Sequence, residues 1–121
     1  MKHDLIRLVE AILRDTLSRK NKFEAKENLN YGKELTMISN ELIKFYYLHD
    51  ELYNTCHSKI IKELYIRSKK KTLLSESLNL YISERTLFNY RKQYCKIWLK
   101  LLSYHKNELK IGKNFADLFK E

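Results

Sequence analysis

Residues 72–91 read TLLSESLNLYISERTLFNYR, and the spacing of their apolar residues predicts two helices joined by a turn. Leu74 and Leu78 lie four residues apart, a spacing that puts both side chains on one face of a short helix. Ser75 between them is a small residue, at a position where a second helix can cross. Asn79 favours a left-handed turn, because its short polar side chain tolerates that backbone conformation. The stretch therefore predicts a short helix that ends in a turn.

A second helix is predicted to start after Ser83. The hydroxyl of Ser83 is suited to cap this helix by accepting a hydrogen bond from the amide of residue 85 or 86. Leu87 and Tyr90 are three residues apart and are expected to face inward. The apolar stripe then continues to about residue 104 through Tyr94, Ile97, Trp98 and Leu101. A short helix, a turn and a capped helix with one buried face form the pattern of a helix-turn-helix.

Outside this stretch the chain also has a helical pattern, since it contains no proline and only two glycines. Apolar residues at steps of three and four predict a helix from about residue 3 to about residue 20. Gly32 is available for a left-handed C-cap and predicts a stop. The other helices are expected at about 33–55, 56–68, 71–79 and 83–104, with a short terminal helix after Gly112.

We therefore predict an all-α fold with an N-terminal helical pair followed by a three-helix helix-turn-helix unit. The hydrophobic content of 44% is enough to build a core. The predicted domains are a helical interaction region at residues 1–55, the helix-turn-helix unit at 56–106 and a short helix or tail at 107–121.

The positive charge of the chain is concentrated in one segment. The whole chain has a net charge of +9, and residues 56–106 alone hold 12 Lys and Arg against three Asp and Glu. This concentration is typical of a protein that binds a polyanion, because Lys and Arg displace counterions from phosphate. A lysine-rich solubilising surface is the alternative, but it does not explain why the excess is confined to one segment.

Other classes of protein lack their signatures here. Without a run of 18 apolar residues we expect no membrane-spanning helix, and without the apolar core of a signal peptide we expect a cytoplasmic protein. Cys56 and Cys95 are then expected to be reduced thiols, and they do not form the closely spaced pairs of a structural zinc site. The histidines are scattered and no carboxylates cluster, so we expect no metal, no cofactor and no enzymatic activity.

Residues 82–92, ISERTLFNYRK, resemble the recognition helix of the sigma-factor-like late transcriptional regulators of phages of low-GC Gram-positive bacteria, the ArpU/RinA type. Proteins of that group are small, helical and basic toward the C-terminus. The match covers about residues 60–102, whereas residues 1–55 resemble the group only in being helical. Four residues separate Leu78 from Ser83, about two more than in the usual short turn. The resemblance implies a DNA-binding regulator of phage or mobile-element genes.

In a helix that enters the major groove, the early exposed side chains meet base edges. Arg85 suits guanine O6 and N7, Asn89 suits adenine N6 and N7, and Glu84 can accept from cytosine N4. Phe88 can pack on a thymine methyl. The alternative is an ordinary solvated helix face for Arg85 and Asn89, and partial burial for Phe88. The residues predicted to contact phosphate are Lys69, Lys70, Lys71, Thr72, Ser83, Arg91, Lys92 and Lys96.

The function predicted from the sequence is transcriptional regulation through sequence-specific binding of double-stranded DNA. Two broad apolar stripes in residues 1–55 have little else to cover them, so we also expect a homodimer. Because no apolar run is long enough to span a bilayer, we expect no membrane partner. One alternative is a small terminase-like packaging subunit or a plasmid-maintenance subunit, for which a ring-shaped oligomer is expected. A second alternative is a helical adapter that binds RNA polymerase and has only weak, sequence-blind affinity for DNA.

Overall fold

The computed structural model of the protein describes residues 3–17, 29–66 and 72–105. Within these ranges the chain forms five helices and no strand, so the predicted all-α class is confirmed. The helices are α1 (His3–Leu17), α2 (Leu29–Tyr53), α3 (His57–Tyr65), α4 (Leu73–Leu80) and α5 (Glu84–His105). None of these helices is both long enough and apolar enough to cross a membrane. The helix or tail predicted at 107–121 lies outside the described residues.

Helix α2 begins earlier than the sequence pattern suggests. Gly32 lies within α2 and has no positive φ, so the helix stop predicted at this glycine is wrong. A glycine inside a helix costs about 1 kcal/mol relative to alanine. The same helix buries Leu35, Ile38 and Leu42. Full burial of one aliphatic side chain contributes roughly 1.5–3 kcal/mol, so the packing of α2 outweighs the cost of its glycine.

The junction between α2 and α3 is organised by Asp50. Asn54 adopts a left-handed conformation with φ 54° after the last residue of α2. The carboxylate of Asp50 then accepts hydrogen bonds from the backbone N–H groups of His57 and Ser58, at 2.8 and 2.9 Å, and from the Thr55 hydroxyl at 2.6 Å. Asp50 thereby satisfies two amides at the start of α3 that have no partner within the helix.

One hydrophobic core joins α1, α2, α3 and α5. Its buried residues are Ile6, Val9, Ile12, Leu13, Leu35, Ile38, Leu42, Tyr46, Ile60, Ile61, Leu64, Tyr65, Leu87, Tyr94, Cys95, Trp98 and Leu102. The indole N–H of Trp98 donates to Ser39 Oγ at 3.2 Å, and Ser39 shares a 2.7 Å hydrogen bond with Thr16 of α1. Residues from 1–55 and from 56–106 contribute to this same core, so the boundary predicted at residue 55 does not separate two cores.

Helix α5 is the element that connects the short helix α4 to this core. It packs against α1, α2 and α4. Leu73 and Leu80 of α4 are partly buried against the core. The position of α5 is therefore set by helices that precede it by as many as 81 residues.

Candidate nucleic-acid interface

A three-residue turn, residues 81–83, joins α4 to α5. Tyr81 adopts the left-handed conformation, with φ 56° and ψ 37°, and its backbone N–H donates to the carbonyl of Ser77. The prediction that Asn79 takes this conformation is wrong, because α4 continues through Asn79 to Leu80. The longer α4 also shortens the connection, so the extra residues noted in the sequence belong to the helix and not to the turn.

Helix α4 presents a different face to α5 than the leucine spacing predicted. Leu74 and Leu78 have 55% and 66% of their surfaces exposed, so the two leucines whose spacing predicts this helix do not form its buried face. Ser77 is buried instead, and its hydroxyl donates to the carbonyl of Ile82 in the turn. Leu73 and Leu80 lie four residues before and three residues after Ser77. Leu73, Ser77 and Leu80 therefore also have helical spacing in the sequence, and the packing of α4 in the folded protein fully or partly buries these residues instead of Leu74 and Leu78.

Both helices begin with a side-chain cap. The amide of Ser75 donates to the Thr72 hydroxyl at 3.1 Å at the start of α4. The amide of Thr86 donates to Ser83 Oγ at 3.2 Å, which confirms Ser83 as the cap of α5. The Ser83 hydroxyl in turn donates to Thr86 Oγ1 at 2.9 Å. Replacing such a cap by alanine typically costs about 1 kcal/mol, so the start of α5 is well defined.

The inward face of α5 is anchored from its first turn onward. Leu87 is fully buried, as predicted, and Tyr90 is partly buried against the core. The ring of His57 on α3 lies 4.7 Å from the Tyr90 ring, centroid to centroid, and its Nδ1 is 2.7 Å from the hydroxyl oxygen of Tyr94. Burial lowers the pKa of His57 and the charge of His49 lowers it further, against the opposing effect of Asp50. Sequence analysis missed this contact, because residues 57 and 90 belong to different helical patterns.

Polar side chains follow one stripe along the outward face of α5, which we call the α5 stripe. Its members are Arg85, Asn89, Lys92, Lys96 and Lys100. Their spacings of four, three, four and four residues keep them on one side of the helix over roughly 22 Å. All are exposed except Lys92, which is partly buried. The stripe therefore offers four positive charges and one amide to a partner along its length.

The remaining residues predicted to contact bases lie beside the α5 stripe. Glu84 is exposed in the first turn of α5, and Phe88 is partly buried. The ammonium of Lys92 lies 4.8 Å from the centre of the Phe88 ring, a cation–π contact that holds the lysine on the outward side. Of the residues predicted to contact phosphate, Thr72, Ser83 and Lys96 are exposed. Lys69, Lys70 and Lys71 lie outside the described residues.

Arg91 faces the interior of the protein, so its predicted contact with phosphate is wrong. Its guanidinium binds Glu10 of α1 in a bidentate manner, with Nη2–Oε1 at 2.6 Å and Nε–Oε2 at 2.8 Å, and only 20% of the Arg91 side chain is exposed. Glu10 also accepts a 2.6 Å hydrogen bond from the Tyr65 hydroxyl. We therefore remove Arg91 from the candidate phosphate contacts. Its place on the inward face follows from its position four residues after the buried Leu87, a signal available in the sequence.

The ionisation of this buried cluster follows from its contacts. Desolvation opposes the charge of Glu10, but the hydrogen bonds from Arg91 and Tyr65 outweigh it, so the pKa of Glu10 is lowered. The same hydrogen bond to Glu10 raises the pKa of Arg91. Cys95 is buried nearby, and burial raises the pKa of its thiol. In the described ranges, no group of three or more His, Cys, Asp or Glu side chains is placed to hold a metal ion.

Comparison of the chain with protein-family models, with curated proteins and with solved structures gives no match.

Proposed function

We propose that this protein binds double-stranded DNA in a sequence-specific manner, with α4 and α5 acting as a helix-turn-helix and α5 lying in the major groove. The observation that supports this proposal most directly is the α5 stripe. A capped helix that buries Leu87 on one side and exposes Arg85 and Asn89 on the other has the arrangement of a recognition helix.

The chemistry of the α5 stripe changes along its length in the way that such a helix requires. Arg85 and Asn89 lie in the first two turns and carry the donors that suit guanine and adenine edges. Glu84 and Phe88 beside them suit cytosine N4 and a thymine methyl. Lys92 and Lys96 lie farther along and, together with Ser83, Thr72 and the connector Lys69–Lys71, are suited to phosphate oxygens.

The packing of α5 also favours this role, because a base-reading helix has to be held in one orientation. Leu87 in the core, the contact of Tyr90 with His57 and the ion pair of Arg91 with Glu10 attach α5 to α1, α2 and α3. Groups on a rigid element lose less conformational entropy on binding than groups on a loop. The α5 stripe is thus presented in a preorganised state.

The proposed biological role is transcriptional regulation of phage or mobile-element genes, which rests on the resemblance of residues 82–92 to the sigma-like late regulators. A different candidate is an adapter that docks on RNA polymerase. It is favoured by the exposed apolar side chains of Leu74, Leu78 and Tyr81 on α4 and in the turn. An exposed apolar patch of this kind often marks a protein partner site.

The test is to select duplexes from a random pool with the full chain and to measure their binding by fluorescence anisotropy over a salt series. Affinity for the selected duplex should fall linearly on a log–log plot against salt, and Lys96→Ala should reduce the slope by about 0.9. Arg7→Ala, which removes an exposed arginine from α1, is the matched control and should leave the slope unchanged. No selected consensus, together with weak affinity that is the same for every duplex, would favour the adapter and overturn the proposal.

A further inference from the structure

We propose that a second copy of this chain docks on the exposed apolar face of α2 formed by Phe45, Leu48 and Leu52, which we call the α2 stripe. The two α2 helices pair antiparallel about a two-fold axis near Tyr47 and Leu48. This inference concerns the partner of residues 1–55 and does not depend on DNA binding by α5.

The α2 stripe is a helix face that the described part of the fold leaves open. Phe45, Leu48 and Leu52 have 42%, 55% and 79% of their surfaces exposed. Their spacing of three and four residues is that of the seam between two paired helices. The buried residues Leu42 and Tyr46 lie on the adjoining face of α2, toward the core. The apolar surface of α2 therefore extends beyond the residues that the core buries.

The size of the open surface suits a dimer. Tyr53, with 67% exposed, extends the apolar surface at the C-terminal end of α2. The exposed fractions of the Phe45 and Tyr53 rings alone amount to roughly 200 Å², and Leu48 and Leu52 add to this area. A stable interface buries about 800 Å² per partner, a little over half of it apolar. The α2 stripe, together with the polar residues around it, can therefore supply an interface of about this area.

The charges beside the α2 stripe favour a second copy of the chain whose α2 runs antiparallel to the first. Lys44 and Glu51 are both exposed and lie seven residues apart, so they follow the same edge of the stripe. In an antiparallel pair centred between Tyr47 and Leu48, Lys44 lies opposite Glu51 of the partner subunit, and the contact occurs twice. Phe45 then fits between Leu48 and Leu52 of the partner subunit. In a parallel pair the same edge of the two helices lies on opposite sides of the seam, so Lys44 and Glu51 would have no charged partner across it.

The competing occupant is the chain's own C-terminal segment. His105 at the end of α5 pairs with Glu41 of α2, with Nε2 and Oε2 2.8 Å apart. Glu41 lies one helical turn before Phe45, and the sequence that follows His105 includes the apolar residues Leu109, Ile111 and Phe115. Lys44 and Glu51 favour the second copy, because the antiparallel pair matches both charges at once.

The experiment measures the mass of the full chain by sedimentation equilibrium at micromolar concentrations without DNA. Wild type should be a dimer, and Leu48→Asp should raise the dimer dissociation constant by at least about tenfold, because it places a charge in an apolar contact. Leu78→Asp is the matched control, since Leu78 is equally open on α4 and should leave the mass unchanged. Circular dichroism melts identify any variant that fails to fold.

Charge variants keep the proposal testable even if Leu48→Asp unfolds. Lys44→Glu and Glu51→Lys should each weaken the dimer, and the double variant K44E/E51K should restore it. Since the measurements contain no DNA, they stand whether or not α5 binds DNA. A monomeric wild type, a dimer insensitive to both single charge variants, or a chain that dimerises only after removal of residues 106–121 would each overturn the proposal.

Discussion

Glu10 of α1 and Arg91 of α5 form a bidentate ion pair although 81 residues separate them in the sequence. The pair lies in the interior, with 3% of the Glu10 side chain and 20% of the Arg91 side chain exposed. It fixes the rotation of α5 about its own axis, because the guanidinium has to face α1. The α5 stripe consequently points away from α1, and the orientation of the candidate DNA-binding face depends on an acid near the N-terminus.

We expect Glu10→Gln to destabilise the protein by about 3 kcal/mol, because removing one partner of a buried pair leaves the other charge uncompensated. The measurement is urea denaturation of the full chain. Asp4→Asn, an exposed acid on the same helix, is the control and should cost less than about 1 kcal/mol. Equal effects of the two substitutions would show that the ion pair adds nothing to the stability of the fold.

The same ion pair has a pH signature. The pKa of Glu10 is lowered from its ordinary value of 4.5, so the native state holds this proton less tightly than the unfolded chain. Its contribution to stability is therefore fully present above pH 4.5 and is lost as the pH falls through the native pKa. The stability difference between wild type and Glu10→Gln should shrink in this acidic range. A difference that stays constant down to complete acid unfolding would contradict the lowered pKa.

The contribution of Asp50 to stability, at the junction of α2 and α3, should also depend on pH. Partial burial opposes its ionisation, but the hydrogen bonds from Thr55, Ser58 and His57 outweigh it and lower the pKa of Asp50 from 3.8 to about 2. Asp50→Ala should cost about 1 kcal/mol at neutral pH, the usual value of a helix cap. The cost should be undiminished above pH 3.8 and should disappear as the pH approaches 2. Thermal melts of both proteins across this range measure it.

Arg85→Ala and Lys92→Ala should change DNA binding in different ways. Arg85 lies in the first turn of α5, where a bidentate base contact is worth about 1–3 kcal/mol of discrimination. Arg85→Ala should therefore relax the preference at one base pair. Lys92 lies two turns farther on, so Lys92→Ala should weaken binding to all sequences similarly. Competition between the selected duplex and random DNA distinguishes them, and equal losses on both DNAs for both variants would exclude base reading by Arg85.

A fragment of residues 56–121 should not fold by itself. The sequence pattern treats residues 56–106 as a unit, but Trp98, Tyr65 and Arg91 contact Ser39 and Glu10 of the first two helices. The fragment would expose these polar groups and the apolar core around them, which a domain this small cannot offset. Circular dichroism and a thermal melt of the fragment test this. A cooperative transition would show that the helix-turn-helix region folds independently.

The candidate interface was predictable where it depends on a single helix. Arg85, Asn89 and Lys96 are outward because Leu87 and Trp98 are inward, and the helical period alone relates the two faces. The same period applied to Leu87 places Arg91 inward, yet a positive charge in a basic helix suggested a phosphate contact. Its partner is an acid 81 residues earlier, and no pattern within α5 indicates that acid.

The all-α class, the cap at Ser83 and the burial of Leu87 could be predicted from the sequence, because each depends on neighbours within a turn or two. Three other features depend on contacts between distant segments: the continuation of α2 through Gly32, the partial burial of Leu73 and Leu80 rather than Leu74 and Leu78, and the binding of Arg91 to Glu10. Local propensities differ by about 1 kcal/mol between such alternatives, whereas burial of one side chain or pairing of one buried charge is worth several times more. Contacts between distant segments therefore settle the choices that local preferences leave nearly equal.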